Sequence, residues 1–355
     1  MSHAFKYGVA PVRDIRVFSD RDERTGKTTV RAIEVGGEAM TPTGRFWRSF
    51  FSRFGISDNV FKYFDHEEVF QRVSERVGEQ PVRYCVERDP TGRLKLLAVS
   101  NPDRPFAHPA ELKEVIRTSG GQDVKYHEGI VVSTHAPPSG ERSIQIGGDE
   151  FNRRFVLETP VDGYGNPRIY LSMLRLVCLN GMIGYAPAFR SEIRTGNAVI
   201  YSIARALETY DNGEGYAALQ QRFQSAQSSW ASLNEVQGLY KLLVRQQSRG
   251  HLDSDVLDKL YRVAGNPCEL YGLANLESLS VKRQRVLPAR CRVYDMLNFA
   301  SELATHHAQP VAARALQAYV GTTVSDEYDM EGTAEKMTDF NDFFATRGAD
   351  GRKGI

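Results

Sequence analysis

Apolar and polar positions follow one period in the first half of this chain and another in the second. Ile15, Val17 and Phe18 precede the polar stretch Asp20 to Lys27, which holds Gly26, and Thr28 to Val35 returns with β-branched residues among alternating charges. That pattern predicts a β-hairpin over residues 13–35. Thr41 and Pro42 supply an N-cap and a proline for a first helical position, and Gly55 a stop, so a helix is expected over 42–54. At 100° per residue Phe46, Trp47, Phe50, Phe51 and Phe54 share one side, with Arg45, Arg48, Ser49 and Ser52 opposite. The aromatics are therefore expected in the core rather than in a base-stacking platform, leaving the arginines to solvent.

Asp65 and Glu68 have the spacing of a capping box ahead of the stripe Val69, Phe70, Val73 and Val77, which ends at Gly78. Val82, Tyr84 and Val86 alternate with polar neighbours, the turn Asp89-Pro90-Thr91-Gly92 follows, and Leu94 to Val99 returns, so an antiparallel hairpin is expected. Further strands are predicted over 124–134, 142–147 and 151–159, the last two joined by Gly147-Gly148-Asp149. Ile169 to Leu179 has too many apolar positions for a solvent-facing helix, and Asn180 or Gly181 can close a helix end in the left-handed conformation. A buried helix is expected there. Beyond residue 196 helix follows helix, near 198–210, 215–231, 233–248, 254–264 and 290–307.

Strands followed by helices predict an α+β fold, an antiparallel β-meander with flanking helices and then a mostly helical C-terminal half. The expected organisation is an N-terminal hairpin arm over 1–40, an α+β core over 41–196, a helical region over 197–322 and an acidic flexible tail over 323–355. In that tail eight acids between Ser325 and Asp350 face only Lys336 and Arg347.

Composition narrows the function classes. With 355 residues, 41% hydrophobic and 25% charged, the chain is ordinary globular material, and no apolar run approaches the roughly 18 residues of a membrane span. The first residues lack the basic-then-apolar pattern of an export signal, which places the protein in the cytoplasm. Cys85, Cys178, Cys268 and Cys291 lie far apart without CxxC pairs and read as buried free thiols. Net charge is only +1, so any attraction to polyanions must come from patches. Of the 45 basic residues 34 are arginine, a bias equally expected from a GC-rich genome.

There is no HExxH, GxSxG, GxGxxG or Walker sequence, and Thr25-Gly26-Lys27-Thr28-Thr29 lacks the first glycine of a phosphate loop, so no catalytic residue and no cofactor is expected. His127, Glu128 and His135, the pair His306-His307, or Asp149 and Glu150 near Asp162 could in principle bind a metal. Surface histidines and turn carboxylates explain them as well, and no metal site is assigned. The basic residues carry more. Arg153, Arg154, Arg168, Arg175, Arg190 and Arg194 could line a phosphate-binding edge, although Arg153 and Arg154, adjacent in a strand, face opposite ways. Lys282, Arg283, Arg285, Arg290 and Arg292, with no acid among residues 278–292, form the sharpest local charge excess, in a predicted loop containing Pro288. Phe340, Phe343 and Phe344, set among acids, could dock on a protein partner or fold back over the basic surface.

Leu174-Arg175-Leu176-Val177-Cys178-Leu179-Asn180-Gly181-Met182-Ile183, together with Thr41-Pro42 through Phe54-Gly55-Ile56, the Val82 to Ser100 hairpin, Phe151 to Thr159, Leu297-Asn298-Phe299-Ala300 and Leu316 to Gly321, resembles the phage/plasmid-like family of unknown function, with an R-x-V-C-x-N-G core. The resemblance extends over residues 35–322 and leaves out the hairpin arm and the tail. It implies a mobile-element or prophage context, beside genes for DNA maintenance, recombination and defence evasion, and no catalytic residues. The function expected is that of a non-enzymatic nucleic-acid-binding protein, for single-stranded DNA in binding or annealing during recombination, with homo-oligomer formation as a further expectation. The alternatives are a phage structural or assembly protein, a nuclease, or an inhibitor of host defence.

Overall fold

The computed structural model describes residues 3–21, 24, 28–138, 143–146, 148–175, 180–183, 189–325 and 328–330. The architecture is α+β, with antiparallel sheets in the N-terminal half and helices in the C-terminal half. Contacts divide the chain into two compact units. The first holds residues 1–133, 158–168 and 192–208, and the second holds 134–157, 169–191 and 209–355.

In the first unit six strands form one sheet in the order β1-β5-β6-β4-β3-β2, where β1 is Ala4–Pro11, β2 Arg16–Arg21, β3 Thr28–Val35, β4 Glu38–Pro42, β5 Pro81–Arg88 and β6 Leu94–Ser100. The two expected hairpins are β2–β3 and β5–β6, both antiparallel, while Gly26 lies outside the described residues. β1 pairs with β5 along its whole length, so residues of the expected arm build the sheet itself. Within this sheet β4 and β6 run parallel and the other neighbours antiparallel.

The helix expected over 42–54 starts two residues later, as α1 (Gly44–Phe54). Pro42 ends β4, and the Thr43 hydroxyl accepts the Phe46 N–H at 3.1 Å. Gly55, at φ 65°, closes it. Phe46 and Phe50 are fully buried, and the Phe50 ring stacks on Phe70 of α2 (His66–Val77) at 4.5 Å. The opposite face departs from expectation. Arg48 and Ser52 are exposed, but Arg45 and Ser49 are buried because α1 also packs on β6, where the Ser49 hydroxyl accepts the Val99 N–H at 2.9 Å. Asp65 is the N-cap of α2 without a side-chain bond to the helix backbone, and Glu68 pairs forward with Arg72, so no capping box forms. A helix not foreseen, α3 (Pro109–Thr118), buries Leu112 and Ile116.

The strand predicted over 124–134 is two, β7 (Gln122–His127) and β8 (Ile130–His135), on either side of Glu128 and Gly129, both at positive φ. They belong to a second sheet of order β12-β11-β10-β8-β7, with β9 on β10 and β13 on β11. Here β9 is Ser143–Ile146, β10 Asp149–Pro160, β11 Arg168–Arg175, β12 Asn180–Ile183 and β13 Arg190–Glu192. The buried helix expected over 169–179 is thus overturned. Ile169 through Arg175 is strand, and Asn180 and Gly181 pair antiparallel with Arg175 and Leu174 rather than stopping a helix. Ile169, Tyr170, Leu171, Ser172 and Met173 are all buried, and a strand covered on both faces shows no alternation. Residues 176–179 of that motif, Cys178 included, lie outside the described residues.

In the second unit α5 (Gly213–Ser228), α6 (Leu233–Gln247), α7 (Val256–Ala264), α10 (Val293–Glu302) and α11 (Pro310–Thr323) close a core around Phe151, Leu171, Met173, Phe223, Leu239 and Leu297. Between them lie α8 (Pro267–Tyr271) and α9 (Val281–Val286), whereas α4 (Val199–Thr209) belongs to the first unit up to Glu208. The single helix expected over 290–307 is instead the end of a strand, then α10, then a π-helical turn at Leu303–His307. No helix among the described residues is long and apolar enough to cross a membrane.

Candidate nucleic-acid interface

The basic run at 282–292 is ordered rather than the loop expected, and the order decides which way each charge points. Ser280 caps α9, its hydroxyl accepting the Arg283 N–H at 3.3 Å. Gln284 is buried, its amide donating to the Leu276 and Leu279 carbonyls at 3.1 and 2.9 Å, and Leu287 is buried one turn on. With that side of the short helix facing inward, Lys282, Arg283 and Arg285 are exposed. Pro288 opens β15 (Pro288–Arg292), which pairs with β14 (Trp230–Ser232). Ala289 and Cys291 are buried in the core while Arg290 is exposed and Arg292 half-buried, and the β14–β15 register shifts between Trp230 and Ser232.

The frame behind these side chains is tied at several points. The Leu233 N–H donates to the Leu287 carbonyl at 2.8 Å, and the Tyr271 hydroxyl donates to the Pro288 carbonyl at 2.5 Å. Ser232 caps α6 with Glu235, whose carboxylate also accepts the Tyr328 hydroxyl at 2.5 Å. Burial pushes the Tyr328 phenol and the Cys291 thiol up, which favours their protonated forms. Arg292 lies 3.9 Å over the centre of the Trp230 ring, and its Nη1 donates to the Ser228 carbonyl at 2.7 Å. Trp230 went unnoticed in the sequence, since a three-residue strand has no period to display. Its only signal is an aromatic just ahead of the Ser232/Glu235 capping box.

The other expected phosphate contacts lie on β10, β11 and β13 and on the segment that follows β13. Arg153 is half-buried over the Tyr216 ring at 5.6 Å, and Arg154 is half-buried with its carbonyl accepting the Tyr216 hydroxyl at 2.6 Å. The Arg168 Nε donates to Glu192 at 3.1 Å, an ion pair that occupies it. Arg175 ends β11 opposite Asn180. Arg190 and Arg194 are exposed, Arg194 and Arg168 belonging to the first unit and the rest to the second. Phe340, Phe343 and Phe344 lie outside the described residues.

The first unit has a polar centre of its own. The Arg45 guanidinium makes a two-bonded ion pair with Asp162 and also donates to the Tyr164 carbonyl, while the Tyr164 N–H donates to Asp162 at 2.9 Å. This clamps the loop 160–167, to which the Tyr7 hydroxyl adds a bond on the Val161 carbonyl at 2.7 Å. Glu87, 2% exposed, is met by His3, and the Tyr126 hydroxyl beside it accepts the Gly129 N–H at 2.8 Å. Arg83 donates to the Arg104 and Pro102 carbonyls. Burial pushes the Tyr7 and Tyr126 phenols and the Cys85 thiol up, and the same burial raises the Asp162 carboxyl against the pull of Arg45. Asp162 is therefore an arginine partner in a loop clamp rather than a metal ligand, and Arg45, expected in solvent, is one half of it. Among the described residues no three His, Cys, Asp or Glu side chains are placed to hold a metal ion, and His135 is buried against the Phe155 ring at 5.4 Å.

Comparison with protein-family models, with curated proteins and with solved structures finds no match for this chain.

Proposed function

We propose that this chain is a non-enzymatic nucleic-acid-binding protein that grips the phosphate backbone through α9 and β15. The observation that carries it is the exposure of Lys282, Arg283, Arg285 and Arg290, with Arg292 beside them, on one tied helix-strand element with no acid among residues 278–292. Such a surface binds phosphate without reading sequence, and it does so in a chain of net charge +1 because the charge is local. The R-x-V-C-x-N-G resemblance supports a phage or plasmid setting, in which binding of this kind serves recombination or DNA maintenance. Anisotropy of labelled single- and double-stranded DNA and RNA, titrated with salt, tests the proposal. The expected result is binding at about 50 mM salt with log affinity falling linearly against log salt, and no binding there rules it out.

A further inference from the structure

We infer that the acidic segment from Glu331 to Phe344 docks on Arg285 and Arg290 of its own chain and competes there with nucleic acid; the inference rests on the phosphate-binding function proposed above and names its regulation. The chain does not leave the fold at α11. Beyond that helix Arg222 of α5 gathers it back, its Nε donating to the Val324 carbonyl at 3.2 Å and its Nη2 to the Tyr328 carbonyl at 2.6 Å. The Tyr328 hydroxyl donates to Glu235 at 2.5 Å, and Met330 is fully buried. These contacts fix the point from which the acidic segment departs.

That point adjoins the cations. Glu235 shares its capping box with Ser232 of β14, the register partner of Pro288 at the start of β15, and the next residue, Leu233, is bonded to the Leu287 carbonyl that ends α9. Arg285 is near enough for its charge to act on the Tyr328 phenol. From Glu331 to Phe344 four acids, Glu331, Glu335, Asp339 and Asp342, stand against Lys336 alone, while residues 278–292 hold no acid to meet Arg285 and Arg290, both exposed. Fully extended, the segment spans about 45 Å against about 17 Å for the five residues of β15, so reach does not limit the contact. The tether supplies it at an effective concentration on the order of millimolar, enough for contacts too weak to hold two separate molecules together. Phosphate has to displace these acids, so apparent affinity falls with the fraction of molecules whose cations are uncovered.

The full-length protein is compared with a full-length variant carrying Glu331→Gln, Glu335→Gln, Asp339→Asn and Asp342→Asn. Without nucleic acid, modification of Arg285 and Arg290 by phenylglyoxal is followed by mass spectrometry, with the exposed Arg48 of the first unit as reference. Relative to Arg48, both should react more slowly in the parent than in the variant at about 50 mM salt, equally fast at about 1 M, and with the same protection across about a hundredfold dilution. On a labelled dT oligonucleotide the variant should bind about tenfold tighter at about 50 mM salt, with a steeper salt dependence, because in the parent phosphate replaces anions already present and releases fewer counterions. Equal reactivity of Arg285 and Arg290 in the two proteins, or equal affinities, overturns the inference and leaves phosphate binding standing. Protection that disappears on dilution assigns the contact to a second copy and overturns it as well. If neither protein binds the oligonucleotide, the phosphate-binding function and the competition fall together.

Discussion

Arg45 and Arg292 show how differently one residue type is used in the two units. Arg45, 7% exposed, spends its donors on a buried carboxylate and a carbonyl and so holds a loop. Arg292 lies half-buried on an aromatic ring at the edge of a run of five cations with no acid in it. A buried ion pair is costly to break because each partner leaves the other's charge in a medium of low dielectric, whereas an exposed charge can be removed at almost no cost to the fold. The lesson is that arginine count says little. Partner and burial separate arginines that serve stability from those that serve binding, and the two classes predict opposite mutational signatures.

The largest expected effect is on the buried side. Asp162→Ala leaves Arg45 without its carboxylate and should cost about 3–5 kcal/mol, measured by denaturant unfolding. Arg45→Met combined with Asp162→Leu should lose less than the two single changes together, because no unpaired charge remains buried. Cys85 and Cys291, both buried, report the units separately. Asp162→Ala should speed labelling of Cys85 by a thiol reagent and leave Cys291 slow, and equal acceleration of both would show that the two units open together.

Next comes the turn that meets the same carboxylate. Gly129 has φ 81°, and a Cβ there would lie 2.8 Å from Asp162 Oδ2, so Gly129→Ala should cost about 1–3 kcal/mol by thermal unfolding. A neutral result would show that the clamp yields easily. The smallest effect is a titration. Burial holds the His66 imidazole below its ordinary value, against Asp65 and Glu67, so the folded state takes up a proton less readily than the unfolded chain. Its contribution is whole above about pH 6.5, the unfolded value, and declines as pH falls from there through the lowered folded value. His66→Gln should flatten that decline, followed through Trp47 emission, since the two rings lie 5.8 Å apart.

How far the fold could be read depended on whether an element shows water one face or none. The β2–β3 hairpin and α1 present a polar face and their periods were legible, while β5–β6, buried from Leu96 to Ser100, was legible from its turn Asp89-Pro90-Thr91-Gly92. β11 is covered on both faces, so its apolar run looked like a buried helix, and Asn180-Gly181 next to it looked like a helix stop. α3 had a legible signal that went unused, a proline at its first position and Leu112 and Ile116 four residues apart. At the candidate site the charge excess was plain from the residues, but its shape was not. Gln284, Leu287, Ala289 and Cys291 decide which side chains face out, and that depends on what α9 and β15 pack against. Arg45 was misplaced for a related reason, because a charge on a helix is expected in water unless its partner, here 117 residues away, is known.

The central claim is that the arginines of α9 and β15 serve binding and not stability, and Arg283→Glu with Arg285→Glu tests it most directly. The full-length double variant and the parent are compared by anisotropy on one labelled single strand from about 50 mM salt upward, with thermal melts of both proteins. The account predicts a melt within about 0.5 kcal/mol of the parent, affinity lowered at least tenfold at low salt and a shallower salt dependence. Unchanged binding, or a loss of binding matched by a loss of fold, would contradict it.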